Sequence, residues 1–430
     1  MAQATQTMSS GAGSAVSRED LRGMIAAEMT DLVRIRRDLH AHPELGYEEQ
    51  RTSKVVQEEL KKAGVPFVAD LAGGTGVLGH IAVSGAGGQG AGTKSGAVGL
   101  RADMDALPIE EQTGLPSASM TKGKMHACGH DGHTTMLIGA ARVLAKIVKQ
   151  KGGLPRPVSF VFQPAEEGGA GAKKRIEDGC LEGDAAKRAG KKGGLGAPIT
   201  EMFGLHGWPR LPLGVVGTRK GPLLAASDRF DIHVKGVGSH AAWPHASRDA
   251  VVAAAHIVTS VQTIVSRNTN PLDSVVVSIT MLKAGSAFNV IPPSATISGT
   301  VRTLLPETLK MARQRLEEIA KHTAAAFGCM AELDYRLGYP VTLNDEGAVE
   351  VFNAVARETI GEQRVVDIPQ PVMGGEDFSF YSQVVPACFF VLGLIPEGKK
   401  EMPDLHQPDF NFNDDAMATG IELFCRLAMR

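Results

Sequence analysis

Apolar and polar positions repeat along the chain with two periods, one typical of helices and one typical of strands. From 17 to 63 the apolar residues recur at helical spacing on both sides of a turn at 40–46, and Ser17 with Asp20 resembles a capping box. Short apolar runs between turn residues predict strands over 77–83, 97–101 and 157–163. A helix is predicted over 133–149, before the last of these strands. Strands that alternate with helices at this spacing indicate an α/β layer with a largely parallel sheet.

Beyond Gly217 the pattern changes to that of a smaller α+β unit. The predicted elements run strand, helix, strand, strand, helix, strand, over 230–234, 249–265, 274–283, 295–302, 307–327 and 331–337. This is the split βαβ order of a ferredoxin-like unit. Because the α/β style resumes near Leu343, we expect the α/β domain to span 18–217 and 338–430, with the smaller domain inserted at 218–337.

Three segments carry no apolar pattern and are expected outside both cores. The segment 1–17 is small and polar, 84–96 is rich in glycine, and 183–196 holds four basic residues among glycines and alanines. We expect a disordered N-terminal extension, an exposed loop and a solvated surface loop, respectively.

Composition and charge exclude several classes of function. With 43% apolar and 21% charged residues the chain resembles an ordinary globular protein, and a net charge of -2 provides no field that would attract nucleic acid or an anionic membrane. No apolar run approaches the roughly 20 residues that cross a bilayer, and the first residues do not resemble a secretory signal. Five scattered cysteines fit reduced thiols. We therefore expect a cytoplasmic protein without a nucleic-acid or membrane partner.

Four widely separated segments carry thiol, imidazole and carboxylate groups, which bind first-row divalent ions such as zinc or manganese. Cys128 and His130 lie two apart beside glycine, and a thiolate is able to bridge two metals. His206 ends an apolar segment, and His406 lies in a loop with aromatic and acidic residues. Each group alone also fits a structural role, such as a buried free cysteine beside helix-capping histidines. Together, at the ends of predicted strands, they favour a two-metal hydrolase.

The fourth of these segments holds two adjacent carboxylates, Glu166 and Glu167, directly after the strand predicted at 157–163. Adjacent residues of an extended chain point in opposite directions. One carboxylate is therefore able to ligate metal while its neighbour acts as the general base for a water molecule. We assign Glu167 to the metal and Glu166 to the base; two surface glutamates at a strand end are the alternative interpretation.

Eight short motifs follow one another along the chain: RRDLHAHPEL at 36–45, LRADMDALP at 100–108, MHACGHDGH at 125–133, FQPAEEG at 162–168, GSHAAWPH at 238–245, AFNVIP at 287–292, GTVRT at 299–303 and GGEDF at 374–378. In this order they resemble the metal-dependent N-acyl-amino-acid amidohydrolases. That family includes hippurate hydrolases, N-acetyldiaminopimelate deacetylases and plant hydrolases of indole-acetyl-amino-acid conjugates, and it is related to aminoacylases and di-zinc carboxypeptidases. The resemblance runs from about Ile35 to Leu427.

The resemblance implies a di-metal peptidase-like catalytic domain with a mixed, largely parallel sheet. It also implies that the inserted ferredoxin-like domain is a lid that forms the contact of a homodimer; whether dimers associate into a higher oligomer is left open. Two divalent ions per subunit are expected, manganese or zinc, with cobalt and nickel as further candidates. The implied ligands, with the thiolate as the bridge, are Cys128, His130, Glu167, His206 and His406.

Other residues receive roles from the same resemblance. Glu166 is the implied general base, and His240 of the inserted domain would stabilise the oxyanion in the partner subunit's site. Asn289 and Arg302 would bind the carboxylate of the substrate, for which a guanidinium group is well shaped. Asp103 resembles an acid that orients a metal ligand.

The expected reaction is hydrolysis of the amide bond of an N-acyl or aryl-acyl amino acid to a carboxylic acid and a free amino acid. A carboxypeptidase or dipeptidase on the same scaffold is the alternative, because its site chemistry would be identical. A ligand-binding protein without catalysis would have lost the base or a ligand, whereas all of these residues are present. A redox role for Cys128 lacks a second cysteine nearby in the sequence. The acyl preference and the physiological metal are left open.

Overall fold

A computed structural model of the chain describes residues 16–83 and 96–430. The segments 1–15 and 84–95 lie outside the described residues, so the disordered extension and the glycine-rich loop expected there stay predictions. The chain divides into two compact units. The first holds the residues up to Thr218 with Gly347–Asp367 and Val385–Arg430, and the second holds Arg219–Glu346 with Ile368–Val384. Ile368–Val384, which carries the GGEDF motif, is thus grouped with the second unit, although the sequence pattern places it in the α/β domain.

In chain order the strands of the described residues are β1 (Phe67–Leu71), β2 (Gly76–Ile81), β3 (Ala97–Asp103), β4 (Val158–Gln163), β5 (Ile199–Pro212), β6 (Val216–Thr218), β7 (Gly221–Leu224), β8 (Ala226–Lys235), β9 (Ser239–His240), β10 (Val275–Ala284), β11 (Val290–Ile291), β12 (Ser294–Thr303), β13 (Met330–Tyr339), β14 (Thr342–Asn344), β15 (Val365–Asp367) and β16 (Ala387–Ile395). The α-helices are α1 (Arg18–Ala41), α2 (Gln50–Ala63), α3 (His130–Lys151), α4 (Glu166–Gly169), α5 (Gly171–Glu177), α6 (Asp184–Arg188), α7 (Ala250–Ser260), α8 (Pro306–Ala326), α9 (Glu346–Ile360), α10 (Ser379–Ser382) and α11 (Met417–Ala428).

A mixed sheet forms the centre of the first unit. Over the described residues it has eight strands in the order β1-β2-β4-β3-β5-β16-β6-β15. The four central strands β4, β3, β5 and β16 run parallel to one another, whereas β1 and β2 add antiparallel pairs at one side. The predicted α/β class with a mixed, largely parallel sheet is confirmed. Strands β2, β3 and β4 are buried along their whole length, which explains why they read as continuous apolar runs rather than as alternating ones.

Helices cover this sheet and complete the core of the first unit. Helix α3 is buried over most of its length and packs against α1, α2 and α11 as well as β3. The capping pattern predicted at the start of α1 is present, because the Ser17 side chain accepts a hydrogen bond from Asp20 N–H at 3.0 Å. In the parallel pair β3 and β4, Asp103 lies opposite Gln163. Both strands therefore end at the same edge of the sheet, and the segments that follow them leave from that edge.

The second unit has a separate core on a smaller sheet. Its four long strands are antiparallel in the order β10-β12-β8-β13, and α7 and α8 pack against them. Phe230, Ile232 and Val234 alternate with more exposed residues along β8, as expected for a sheet that is covered on one face. Strand β8 is followed by α7, β10, β12, α8 and β13, which confirms the predicted ferredoxin-like order.

Several elements differ from those predicted, and no bounds are predicted beyond 343. Strand β1 is not predicted at all. The helix expected over 249–265 ends at Ser260 in α7 and is continued by a π-helical turn at Ile264–Asn268. The prediction of a loop at 183–196 is wrong for Asp184–Arg188, which form the short helix α6. This helix spans little more than one turn, and no hydrophobic period of such a length is legible in a sequence.

One helical stretch of the described residues, Ala250–Asn268, is long and apolar enough to cross a membrane by length and composition. Six of its apolar side chains pack in the core of the second unit: Ala250, Ala253, Ala254, Ile257, Val261 and Ile264. The core helix of a globular unit has the same composition, so the stretch is weak support for a membrane span.

Candidate metal centre

The loop before α3 presents Cys128 and His130 from the first unit. Gly129 between them has a positive φ of 89°, a left-handed conformation that glycine adopts without strain. The Nδ1–H of His130 donates to the backbone oxygen of Asp105 at 2.9 Å. This bond leaves Nε2 as the nitrogen available to an ion, and the buried Nε2 has no hydrogen-bond partner among the described residues.

Two further histidines converge on Cys128. Its Sγ lies 3.4 Å from Nε2 of His206, which comes from β5, and 3.3 Å from Nε2 of His406, which comes from the loop before α11. The same nitrogen of His406 lies 3.2 Å from Oε1 of Glu167. His406 has a positive φ of 64°, and its N–H donates to the backbone oxygen of Ala127 at 2.8 Å, which ties its loop to the segment that carries Cys128.

The five residues proposed as ligands form two overlapping groups. Donor atoms of Cys128, His130 and His206 lie within 4.8 Å of one another, and so do those of Cys128, Glu167 and His406. A third group of the same size joins His130 with Glu166 and Glu167. The structure therefore brings together all five residues and the expected base. A sulfur atom shared by two groups is the geometry expected of a thiolate between two neighbouring ions.

A tight turn after β4 presents the two glutamates. Ala165, just before them, has a positive φ of 53° in spite of its side chain. The carboxylate of Asp105 accepts the N–H of Glu166 at 3.0 Å and the N–H of Glu167 at 2.9 Å, one on each oxygen. These bonds fix the turn to the end of β3. The two glutamate side chains thus start from a backbone that is held in place before any ion binds.

His133, from the same motif as the ligands, is engaged elsewhere. Its Nδ1–H donates to Asp103 at 2.7 Å, and its Nε2 accepts the N–H of Gly207 at 2.7 Å. Neither ring nitrogen is therefore available to an ion. The Nδ1–H of the neighbouring His206 donates to the backbone oxygen of Gly207 at 2.8 Å, which turns its Nε2 toward Cys128. His133 consequently holds the strand at the point where His206 leaves it.

Burial and nearby charge oppose ionisation of the thiol. Burial raises the pKa of Cys128 well above its usual value, and the charges of Glu167 and Glu166 raise it further. Burial acts on Glu167 in the same direction, but the contact with His406 and the charges of His130 and His406 together outweigh it and hold the pKa of Glu167 below its usual value. A cation beside the sulfur would reverse the balance for the thiol, because coordination favours the thiolate.

The pKa values of the two buried imidazoles, His130 and His206, are shifted in opposite directions. Burial lowers the pKa of His130, but the charge of Asp103 and the hydrogen bond to Asp105 outweigh it and raise the pKa to about 10. Burial lowers the pKa of His206 well below its usual value, so its ring is neutral at pH 7. An ion that binds His130 would have to displace a proton, as is usual when metals bind to titratable ligands.

The chemistry of these donors fits divalent transition metals. One thiol, imidazole nitrogens and carboxylates form a mixed soft and borderline set, which suits zinc and related ions rather than magnesium or calcium. The unpartnered Nε2 of His130 points to the same conclusion, since a buried polar atom without a partner is costly unless an ion or water binds it.

The three residues expected to contact the substrate lie in the second unit. His240 is exposed, its Nδ1 accepts the N–H of Ala242 at 3.1 Å, and its ring centre lies 5.1 Å from that of Trp243. Asn289 is exposed as well, and Arg302 is half-buried on β12, where burial lowers the pKa of its guanidinium. The cluster described above belongs to the first unit, so the roles expected for these three residues stay predictions.

The family resemblance implies that Asp103 orients a metal ligand, which stays a prediction, and the sequence analysis gives Asp105 no role. Asp103 receives hydrogen bonds from Arg101 at 2.5 Å and from His133 at 2.7 Å, and its Oδ2 lies 3.7 Å from Nε2 of His130. Asp105 contacts both His130 and the glutamate turn. The available signal was its position two residues after Asp103, which places two acids on one side of an extended segment.

Comparisons with known proteins agree with the site. The profile of peptidase family M20/M25/M40 matches residues 99–430. The chain is 40% identical over 403 residues to IAA-amino acid hydrolase ILR1-like 4 of Arabidopsis thaliana. The aligned residues cover 93% of this chain and 85% of the relative. It is 40% identical over 386 residues to N-acetyl-L-cysteine deacetylase of Bacillus subtilis (strain 168), which covers 90% of this chain and 84% of the relative.

A solved structure extends the likeness to the fold. The crystal structure of a dinuclear metal-binding peptidase from the M20 family of Bacillus subtilis superposes with a TM-score of 0.75 at 33% identity, covering 94% of this chain and 98% of that chain. Together with the groups of ligand atoms, this likeness supports binding of divalent metal ions by the cluster.

Removal of the shared sulfur tests the cluster directly. We expect Cys128→Ala to lose most of its bound divalent metal, because Cys128 belongs to both groups of three ligand atoms. The control is Cys425→Ala, since Cys425 is equally buried but its Sγ faces Ala140 O in the helical core at 3.9 Å. Elemental analysis after dialysis should find wild-type metal content in the control only. Equal content in the two variants would contradict the assignment.

Proposed function

The chain belongs to peptidase family M20/M25/M40, and on that premise we propose that it hydrolyses the amide bond of N-acyl or aryl-acyl amino acids to a carboxylic acid and a free amino acid. The names of two relatives that are 40% identical, an IAA-amino acid hydrolase and an N-acetyl-L-cysteine deacetylase, support this substrate class. The observation that carries the proposal is the buried Glu166 beside a cluster of thiol, imidazole and carboxylate ligands.

The proposed ligands of two divalent ions are Cys128, His130, Glu167, His206 and His406. Manganese and zinc suit this donor set, and cobalt and nickel are further candidates because ligand softness admits several ions. When bound, such ions polarise a carbonyl oxygen and lower the pKa of water, which is the chemistry that amide hydrolysis requires.

Glu166 is the proposed general base. Its N–H is held by Asp105, and its side chain leaves the turn next to the ligand Glu167, so it stands close to the ions without being required to bind them. In this role Glu166 takes a proton from the attacking water molecule and returns it to the nitrogen of the leaving amine. General acid-base catalysis of this kind typically contributes a factor of about 100 to 10,000 to the rate.

The second unit is proposed to act as a lid and as the contact of a homodimer. Asn289 and Arg302 would hold the carboxylate of the amino-acid part of the substrate. His240 would stabilise the oxyanion in the site of the partner subunit. Its exposed ring and its position in the short two-stranded sheet of β9 and β11 support a role in contact with a partner. We also propose a cytoplasmic location, which the five free cysteines support.

The experiment that tests the proposed reaction is a substrate panel. Purified protein, loaded in turn with manganese, zinc, cobalt or nickel, is incubated with N-acetyl, N-benzoyl and N-indoleacetyl amino acids and with dipeptides. We expect release of free amino acid from N-acyl substrates, loss of this activity on chelation, and recovery when the metal is returned. Faster cleavage of dipeptides than of every N-acyl substrate would favour a peptidase instead. Full activity in protein shown to be metal-free by elemental analysis would exclude metal dependence.

The second test separates the base from the ligand. We expect Glu166→Gln to keep near-normal metal content while kcat falls by about two to four orders of magnitude, because the amide does not accept a proton. Glu167→Ala should instead lose metal, since it removes a ligand from the group formed with Cys128 and His406. Elemental analysis and kcat are measured on the same preparations. Metal loss in the first variant and not in the second would mean that the two roles are exchanged.

The third test concerns the proposed dimer. Subunits that carry His240→Ala and subunits that carry Glu166→Gln should each be inactive, yet a mixed dimer has one site with both wild-type groups. Mixing under conditions of subunit exchange should therefore restore up to about half of the sites in each heterodimer, by two-fold symmetry. Differently tagged subunits allow the heterodimer to be isolated and assayed. A pure heterodimer as inactive as its parents would show that His240 has no role in the partner's site.

A further inference from the structure

The segment that follows the RRDLHAHPEL motif packs directly under the glutamate turn of the metal centre. A Cβ atom at Gly46 would lie 3.1 Å from Cα of Ala165, so the two backbones approach each other closely at a glycine. Three residues later, Glu49 is fully buried just before α2. None of the proposed ligands and none of the residues expected to bind substrate lies in this segment, so its carboxylate has no role in the function as proposed.

Glu49 uses both of its carboxylate oxygens. Oε1 accepts the N–H of Ala165 at 2.8 Å, and Oε2 accepts the hydroxyl of Thr75 at 2.8 Å. Both donors are neutral. Burial, followed by the charge of Asp105, raises the pKa of Glu49 to about 7. A buried carboxyl group held by neutral donors costs stability relative to an apolar side chain, so its place beneath the turn calls for a reason beyond packing.

That reason lies in the backbone of the turn. Three consecutive N–H groups, those of Ala165, Glu166 and Glu167, donate to two buried carboxylates: the first to Glu49 and the next two to Asp105. Ala165 is held at φ 53° and ψ 48°, a left-handed conformation that a residue with a side chain rarely adopts. Such strain persists only where the surroundings over-determine it, and successive N–H groups in this geometry form a concave site for anions.

We infer that Glu49 is a positioning residue of the metal centre: its hydrogen bond to Ala165 sets the turn that aims Glu167 at the metal and Glu166 at the substrate. The inference rests on the proposed function for the roles of the two glutamates. Glu49 accepts the N–H of the left-handed residue, Ala165, whereas Asp105 accepts the N–H groups of the two residues after it. The loss of either carboxylate therefore frees a different part of the backbone. An error of about 1 Å in the placement of such groups is enough to lower a rate by about 100-fold.

The test is a series of substitutions at Glu49 read out by metal affinity. Zn²⁺ affinity of the metal-free full chain is measured by competition with a chromophoric chelator, which needs no substrate. We expect Glu49→Ala to bind Zn²⁺ about 10- to 100-fold more weakly, the usual effect of removing a group that orients a ligand. Glu49→Gln keeps the reach and an acceptor oxygen for Ala165 N–H, so it should stay within about threefold of wild type on the same scale.

A matched control comes from the same segment. Glu44 also accepts backbone N–H groups, those of Arg51 at 3.0 Å and Thr52 at 2.9 Å, but these belong to the first turn of α2 and not to the glutamate turn. Glu44→Ala should therefore lower the melting temperature without weakening Zn²⁺ binding. A merely structural Glu49 would behave like Glu44, with lower stability and unchanged affinity in Glu49→Ala, and that result would overturn the inference.

A second pair of variants covers the case in which Glu49→Ala does not fold. Glu49→Asp keeps the charge but shortens the side chain by one methylene, whereas Glu49→Gln keeps the length and removes the charge. We expect weakened Zn²⁺ binding in the aspartate variant and near wild-type binding in the glutamine variant; equal affinities in the two would overturn the inference. A wild-type chain inactive on every N-acyl substrate would contradict the proposed function alone, since the Zn²⁺ affinities still decide the role of Glu49. Where substrate is cleaved, kcat should fall with affinity across the series.

Discussion

The gathering of buried acidic groups at the ends of β3 and β4 is the constraint on which the rest of the metal centre depends. Asp103, Asp105, Glu166 and Cys128 are almost inaccessible to solvent and converge on one edge of the sheet. Two unit charges about 4 Å apart repel each other by about 4 kcal/mol at the effective dielectric constant of a protein, whereas a hydrogen bond contributes about 1 kcal/mol net. Hydrogen bonds alone therefore compensate only part of the repulsion. Arg101 and the protonated ring of His130 balance part of this charge, and a divalent cation that displaces the proton of His130 would balance more of it.

Unusual backbone conformations occur where this edge carries its functional side chains. Ala165 and His406 have positive φ angles in spite of their side chains, at about 1 to 2 kcal/mol each. Each is secured by a hydrogen bond of its own N–H, to Glu49 and to Ala127 respectively. Rigid turns of this kind allow neighbouring side chains to point in different directions, so that one is able to bind metal while the next faces the substrate.

The residues proposed to bind metal and those proposed to contact substrate lie in two units with separate hydrophobic cores. The proposed ligands and the proposed base belong to the first unit, which has its own hydrophobic core, whereas His240, Asn289 and Arg302 belong to a unit with an independent core of its own. Substitutions among the exposed residues of the second unit are therefore able to change substrate contacts without disturbing the packing that holds the metal cluster.

The amino-acid sequence alone was enough to predict the fold class, the succession of long strands and helices in the second unit and the five side chains that form the cluster. It did so because burial imposes a period on long helices and strands, and because thiol, imidazole and carboxylate groups at strand ends have a recognisable chemistry. The folded chain was needed to show that both ring nitrogens of His133 are hydrogen-bonded, and that Asp105 and Glu49 together hold the glutamate turn. These contacts join residues as much as 116 positions apart along the chain through backbone N–H groups. Every residue except proline carries such a group, so no pattern of side chains reveals which of them a buried carboxylate will meet.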